Sequence, residues 1–155
     1  MCSSDLFPSH DTSRPINTAI GYEALQSNKY GNHNTAIDNE ALRSNLYGAS
    51  NTAIGSESLS SNTNGQYNTA IGHQALRSNS IGVYNTAIGH QSLSSNIDGW
   101  NNTALGNQSL YSNTSGHDNV AIGSYALLAN TTGHHNTAIG NEALQSNKYG
   151  NITPP

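Results

Sequence analysis

Residues 17–21 read Asn17-Thr18-Ala19-Ile20-Gly21, and the string returns as Asn34-Thr35-Ala36-Ile37-Asp38, as Asn51-Thr52-Ala53-Ile54-Gly55, and again from Asn68, Asn85, Asn102, Asn119 and Asn136. The spacing is 17 residues every time, so eight units fill residues 17–152 with no insertion or deletion. A fixed period sustained over a chain marks a repeat architecture, in which each unit is one structural element that buries its apolar side only against its neighbours. The repeat leaves a non-repeat leader, residues 1–16, and a tail, residues 153–155.

Aligned in register, the units separate constrained from free positions. The first Asn, the third-position Ala, a second Asn (Asn28, Asn45, Asn62 and their equivalents to Asn147) and a late Gly (Gly31, Gly48, Gly65 and their equivalents to Gly150) are identical in all eight units. Two columns are always large and aliphatic: Ile20, Ile37, Ile54, Ile71, Ile88, Leu105, Ile122 and Ile139, then Leu25, Leu42, Leu59, Leu76, Leu93, Leu110, Leu127 and Leu144. Together with Ala19 and its equivalents they are the expected core and assembly ladder. Most other positions drift among polar residues.

Composition agrees with this reading. Leu, Ile, Val and Phe supply 26 of 155 residues, too few for an ordinary globular core, yet only 9% of residues are charged and the net charge is −4, too neutral for charge-driven disorder. Sixteen of those 26 aliphatics fall in the two ladders, one pair per unit. A thin stacked core needs no more. The expected fold is therefore all-β, a β-solenoid or parallel β-roll of eight 17-residue coils. At about 4.8 Å per coil it is a rod roughly 38 Å long.

Thr-Ala-Ile is the strand of each coil. Side chains alternate across a strand, so Thr18 and Ile20 share one face while Asn17 and Ala19 share the other. Both faces are constrained, which predicts cover on both sides, from the opposite wall of a flattened coil or from a neighbouring subunit. The stacked Asn columns predict amide ladders, and the late Gly predicts positive φ or a lack of room for Cβ. The segment Tyr22-Glu23-Ala24-Leu25-Gln26-Ser27 is read as a second short strand, with a single helical turn per coil as the alternative.

The stretch that opens the seventh unit, Asp118-Asn119-Val120-Ala121-Ile122-Gly123, resembles the Asn-Ser-Val-Ala-Ile-Gly-x-x-Ser signature of the head repeats in trimeric autotransporter adhesins of the YadA type. The Ser after Gly-x-x is matched by Ser58, Ser92 and Ser109, with Ala in the other five units. The 17-residue form with its Asn-x-x-Gly turn is similar to arrays in phage tail-fibre and related surface-fibre proteins. The resemblance covers residues 17–152 and implies a left-handed parallel β-roll that packs as a trimer and binds host surfaces or extracellular matrix. It also implies an extracellular, cell-surface or virion location, although residues 1–16 carry no signal-peptide pattern. The period is longer than that of the adhesin heads.

The first and last units are the most alike: Glu23 to Asn32, EALQSNKYGN, recurs unaltered at Glu142 to Asn151. Ordinary terminal coils lack the polar caps that usually block stacking. The expected partner is thus another copy of the chain, in a trimer or a head-to-tail filament.

Chemistry reads as sparse. Five Lys and Arg against nine Asp and Glu, without a basic cluster, give no footprint for nucleic acid, and no apolar window could insert in a membrane. Cys2 stands alone. The column Glu23, Glu40, Glu57, Gln74, Gln91, Gln108 reads as a surface hydrogen-bonding ladder instead of a catalytic carboxylate pair, and no enzyme activity or cofactor is expected. His73 and His90 share one column and His117 and His134 another, but no Cys or carboxylate closes a ligand set, so no metal site is expected. Sequons at Asn101, Asn107, Asn113, Asn130 and Asn151 are what chance gives in a chain with 23 Asn and 21 Ser.

The leading expectation is a structural or attachment fibre protein. Two alternatives come from other classes. Thr at the second position of seven units suggests an ice-binding solenoid, and the variable aromatics Tyr67, Tyr84 and Trp100, candidate surface contacts, suggest a carbohydrate-binding module.

Overall fold

The computed structural model describes residues 16–150. The leader before Ile16, Cys2, the sequon at Asn151 and the C-terminal tail lie outside the described residues. The chain is an all-β solenoid built from eight strands: β1 (Thr18–Ile20), β2 (Thr35–Ile37), β3 (Thr52–Ile54), β4 (Thr69–Ile71), β5 (Thr86–Ile88), β6 (Thr103–Leu105), β7 (Val120–Ile122) and β8 (Thr137–Ile139). They form one parallel sheet in sequential order, each residue paired with its equivalent 17 positions on, as Ala53 with Ala70. No helix occurs among the described residues.

Each strand is three residues long because the fifth position turns the chain. Gly72 sits at φ +129 and its equivalents at +122 to +134, a region open to Gly, and a Cβ on Gly72 would press on the Gly89 backbone. Asp38 takes the same place at φ 104.

The inward face of the strand is the Asn and Ala face. From Ala36 to Ala121 the third-position alanines are fully buried within a single chain, and they form one apolar cluster with the Leu column. The opposite wall of the same coil therefore covers the Ala face. Leu42, Leu59, Leu76, Leu93, Leu110 and Leu127 are the largest apolar side chains fully removed from solvent. Burying such a Leu stabilises by about 1.5–3 kcal/mol relative to leaving it exposed.

One part of the expected core is corrected. Ile20, Ile54, Leu105 and Ile139 are exposed, and Ile37, Ile71, Ile88 and Ile122 are half-buried. This column shares the outer strand face with Thr because the two residues are separated by one inward Ala. Within one chain it is not core.

The middle segment is neither strand nor helix. Ala24 N donates to Gly21 O, Gln26 N to Glu23 O and Asn28 N to Leu25 O, so successive four-residue turns overlap. Glu23 and Leu25 take left-handed backbone (φ 54 and 53), and so do their equivalents in every other coil. The alternation aims other amides at neighbouring coils, as Leu25 N to Ala41 O at 3.0 Å and Glu40 N to Tyr22 O at 2.8 Å. Left-handed backbone costs an L-residue roughly 1–2 kcal/mol. It is held here by stacked hydrogen bonds on both sides and by the burial of Leu.

The two Asn columns form the expected ladders, buried between the walls. In one, Asn62 Nδ2 donates to Asn45 Oδ1 at 2.8 Å and to Gly65 O at 3.0 Å. In the other, Asn51 Nδ2 donates to Gly65 O at 2.8 Å, while its Oδ1 accepts from Asn68 N at 3.0 Å. Gly65 O thus joins the ladders. The late Gly is required by space, since a Cβ on Gly48 would fall on the Asn45 amide and on Gly65 O.

Candidate functional site

Two surfaces of the solenoid carry chemistry that the core does not use. The first is the outer strand face, where β1 to β8 present a column of Thr, with Val120 as the exception, beside the Ile column. In-register pairing sets equivalent side chains one strand apart, about 4.8 Å. The face is therefore a regular stripe of methyl and hydroxyl groups. None of its residues is charged.

The second surface is the edge formed by the last two positions of each coil. The final position is left-handed in every described instance, from His33 (φ 56) through Ser50, Tyr67, Tyr84, Asn101 and Asp118 to His135 (φ 58). Its amide bonds back to the preceding coil, as Asp118 N to Trp100 O at 3.1 Å and His135 N to His117 O at 3.2 Å. Side chains at this edge therefore stand in fixed columns. Tyr67 stacks on Tyr84 with ring centroids 4.9 Å apart, and Trp100 on His117 at 4.4 Å, followed by His134 at 4.7 Å. All three aromatics singled out in the sequence lie here and remain exposed. Each turns a face to a neighbouring coil, as turn residues packing on turn residues do.

The His and Asp of this edge come together. His117 Nδ1 donates to Asp118 Oδ2 at 2.9 Å, Asn101 Nδ2 donates to Asp118 Oδ1 at 3.2 Å, and His135 Nε2 lies 3.7 Å from Asp118 Oδ2. The hydrogen bond from His117, aided by that from Asn101 and opposed by burial, holds the Asp118 carboxyl below the usual carboxylate range. The 17-residue register pairs His117 with His134, and neither Asp118 nor His135 stands among the residues expected to form a site. The signal was there: Asp118 and His135 differ by 17 and fall in the column next to the histidines.

The column running from Glu57 to Gln108 is a hydrogen-bonded ladder, as expected. Gln74 Nε2 reaches Glu57 Oε2 at 3.2 Å, Gln91 reaches Gln74 at 2.8 Å and Gln108 reaches Gln91 at 2.7 Å. Arg77 pairs with Glu57 at 2.9 Å. His73 and His90 stack at 5.4 Å, and His90 Nδ1 lies 3.1 Å from Asn107 Oδ1, an amide where a metal site would want a carboxylate.

No protein-family model, curated protein or solved structure matches this chain.

Proposed function

We propose that this chain is a structural or attachment fibre protein, a stiff β-solenoid shaft that self-assembles through its outer strand face and presents its turn edges for contact. The observation that carries the reading is the Ile column: an uncharged aliphatic stripe runs along the solenoid, exposed at Ile20, Ile54, Leu105 and Ile139 and half-buried at the other four positions. Contiguous exposed apolar surface of this kind marks an interaction site. A strand face repeating at a fixed interval fits best against another copy of itself, whose Ile and Thr columns have the same spacing. The resemblance of Asp118 to Gly123 to adhesin head repeats favours three copies around an axis and a location outside the cell, on a cell surface or virion. The near-identity of the first and last units favours a further head-to-tail contact.

Negative-stain micrographs of the full chain, with its mass measured in solution, test this. Trimers or filaments are expected. A particle with the mass of one chain at all concentrations overturns it.

One observation favours a second reading. Thr and Ile share the outer face, so seven hydroxyls stand in one in-register column, interrupted at Val120, which suits ordered water. An ice-binding solenoid would show thermal hysteresis and faceted ice crystals as a single chain, and a fibre protein would show neither.

A further inference from the structure

We infer that the coil edge at His117, Asp118 and His135 is a binding site for a divalent transition-metal ion of the zinc type, bridging the sixth and seventh coils. One ligand atom from each of the three residues lies within 4.8 Å of the other two. Tetrahedral zinc with bonds of 2.0–2.1 Å to imidazole nitrogen and carboxylate oxygen sets its ligands about 3.3–3.4 Å apart. His117 Nδ1 to Asp118 Oδ2 is 2.9 Å and His135 Nε2 to Asp118 Oδ2 is 3.7 Å, on either side of that value. The first pair has to open and the second to close by a few tenths of an ångström, and the two imidazole nitrogens, within 4.8 Å of each other, have to be drawn to the same spacing. The His135 side chain is 62% exposed and meets the rings of His117 and His134 only edge-on, so a small shift of its ring makes the adjustment.

The donor set is chemically suitable. Two borderline imidazole ligands with one carboxylate suit zinc better than calcium or magnesium, which prefer all-oxygen sites. The hydrogen bond from His117 to Asp118 does not block binding. A neutral imidazole can carry its proton on Nε2 and offer the Nδ1 lone pair to the ion, which then occupies the space between ring and carboxylate. Three protein ligands leave one position open for water.

The surroundings hold the ligands in place. Trp100 stacks on His117 within 6° of parallel and fixes the imidazole plane, while Asn101 holds Asp118 Oδ1 and leaves Oδ2 turned to the histidines. Such outer contacts orient ligands and raise affinity. The backbones of Asp118 and His135 are locked to the preceding coils by the amide bonds at 3.1 and 3.2 Å. The ion would thus tie adjacent coils together at a point where the edge consists of polar turn residues.

Zinc chloride titrated into the untagged full chain, followed by calorimetry and by the imidazole signals in NMR, tests the site. One equivalent per chain is expected, with the His117 and His135 signals moving together. Asp118→Asn and His135→Ala should each weaken binding at least about ten-fold, and Asn101→Ala by about ten-fold through loss of carboxylate orientation. The double variant His73→Ala/His90→Ala, on the stacked pair that lacks a carboxylate, should bind as the unaltered chain does. Circular dichroism checks that each variant is folded, and the NMR arm needs no variant at all. Absence of saturable binding, binding unchanged in Asp118→Asn and His135→Ala, or signals moving at His73 and His90 instead would overturn the assignment.

Discussion

Asn96 donates from Nδ2 to Asn79 Oδ1 at 2.8 Å, and Asn79 donates onward to Asn62 Oδ1 at 2.9 Å. Neither Asn79 nor Asn96 has contact with solvent. Each amide also donates to the late Gly carbonyl of its own coil, Asn79 to Gly82 O at 3.1 Å and Asn96 to Gly99 O at 3.0 Å. A buried amide left without partners costs about 1–3 kcal/mol, so the column is stable only because every coil supplies the same residue at the same height. The period is thereby enforced from inside.

This arrangement makes Asn79→Asp more damaging than Asn79→Ala. Alanine removes the hydrogen bonds and leaves a small void, for roughly 1–3 kcal/mol. A carboxylate sets a buried charge against Asn62 Oδ1 and Gly82 O, both acceptors, and should cost more. Burial raises the folded-state pKa of the introduced carboxyl above its unfolded value. The penalty is therefore full at neutral pH and shrinks as pH falls through that raised pKa. Urea denaturation of both variants at neutral and acidic pH measures the order and its pH dependence.

The two aliphatic columns should respond differently to truncation. Leu76 is fully buried and Ile71 lies half-exposed on the outer face. Leu76→Ala is expected to lower stability by about 2–5 kcal/mol whatever the state of assembly. Ile71→Ala should cost clearly less in an isolated chain, and its effect should grow with protein concentration if copies pack on this face. Thermal melts over a range of concentrations separate the two.

Left-handed backbone predicts a third contrast. Ser50 sits at φ 58 at the end of its coil. Ser50→Gly should leave stability unchanged or raise it slightly, because glycine takes that conformation freely. Ser50→Val should lower it by about 1–2 kcal/mol, since a β-branched side chain clashes there. Chemical denaturation curves for the pair check the difference.

The coil period, the parallel stack, the Asn ladders and the Leu core were legible in the sequence because each is a column with its own chemistry. The direction of the Ile column was not. Alternation along Thr18-Ala19-Ile20 shows that Thr and Ile share a face, but hydrophobicity alone places Ile inside, and only the space available between the walls favours Ala there. The turns carrying Leu25 and Glu23 were also hidden. Leu and Glu have no preference for left-handed backbone, so nothing at those positions marks a conformation that interchain-like stacking between coils imposes. The edge cluster was half legible: His117 and His134 stand in one column, but Asp118 meets His135 through an adjacent column, and pairing columns side by side requires the curvature of the turn.

If the chain assembles as proposed, copies meet through the outer Thr and Ile face. Sedimentation equilibrium of the unaltered chain and of the double variant Ile71→Lys/Ile88→Lys, with circular dichroism confirming that the variant keeps its β structure, tests it most directly. Assemblies at multiples of the 16.3 kDa chain are expected for the former and a folded particle of 16.3 kDa for the latter. An unaltered chain that sediments as a monomer, or a double variant that assembles as the unaltered chain does, would contradict it.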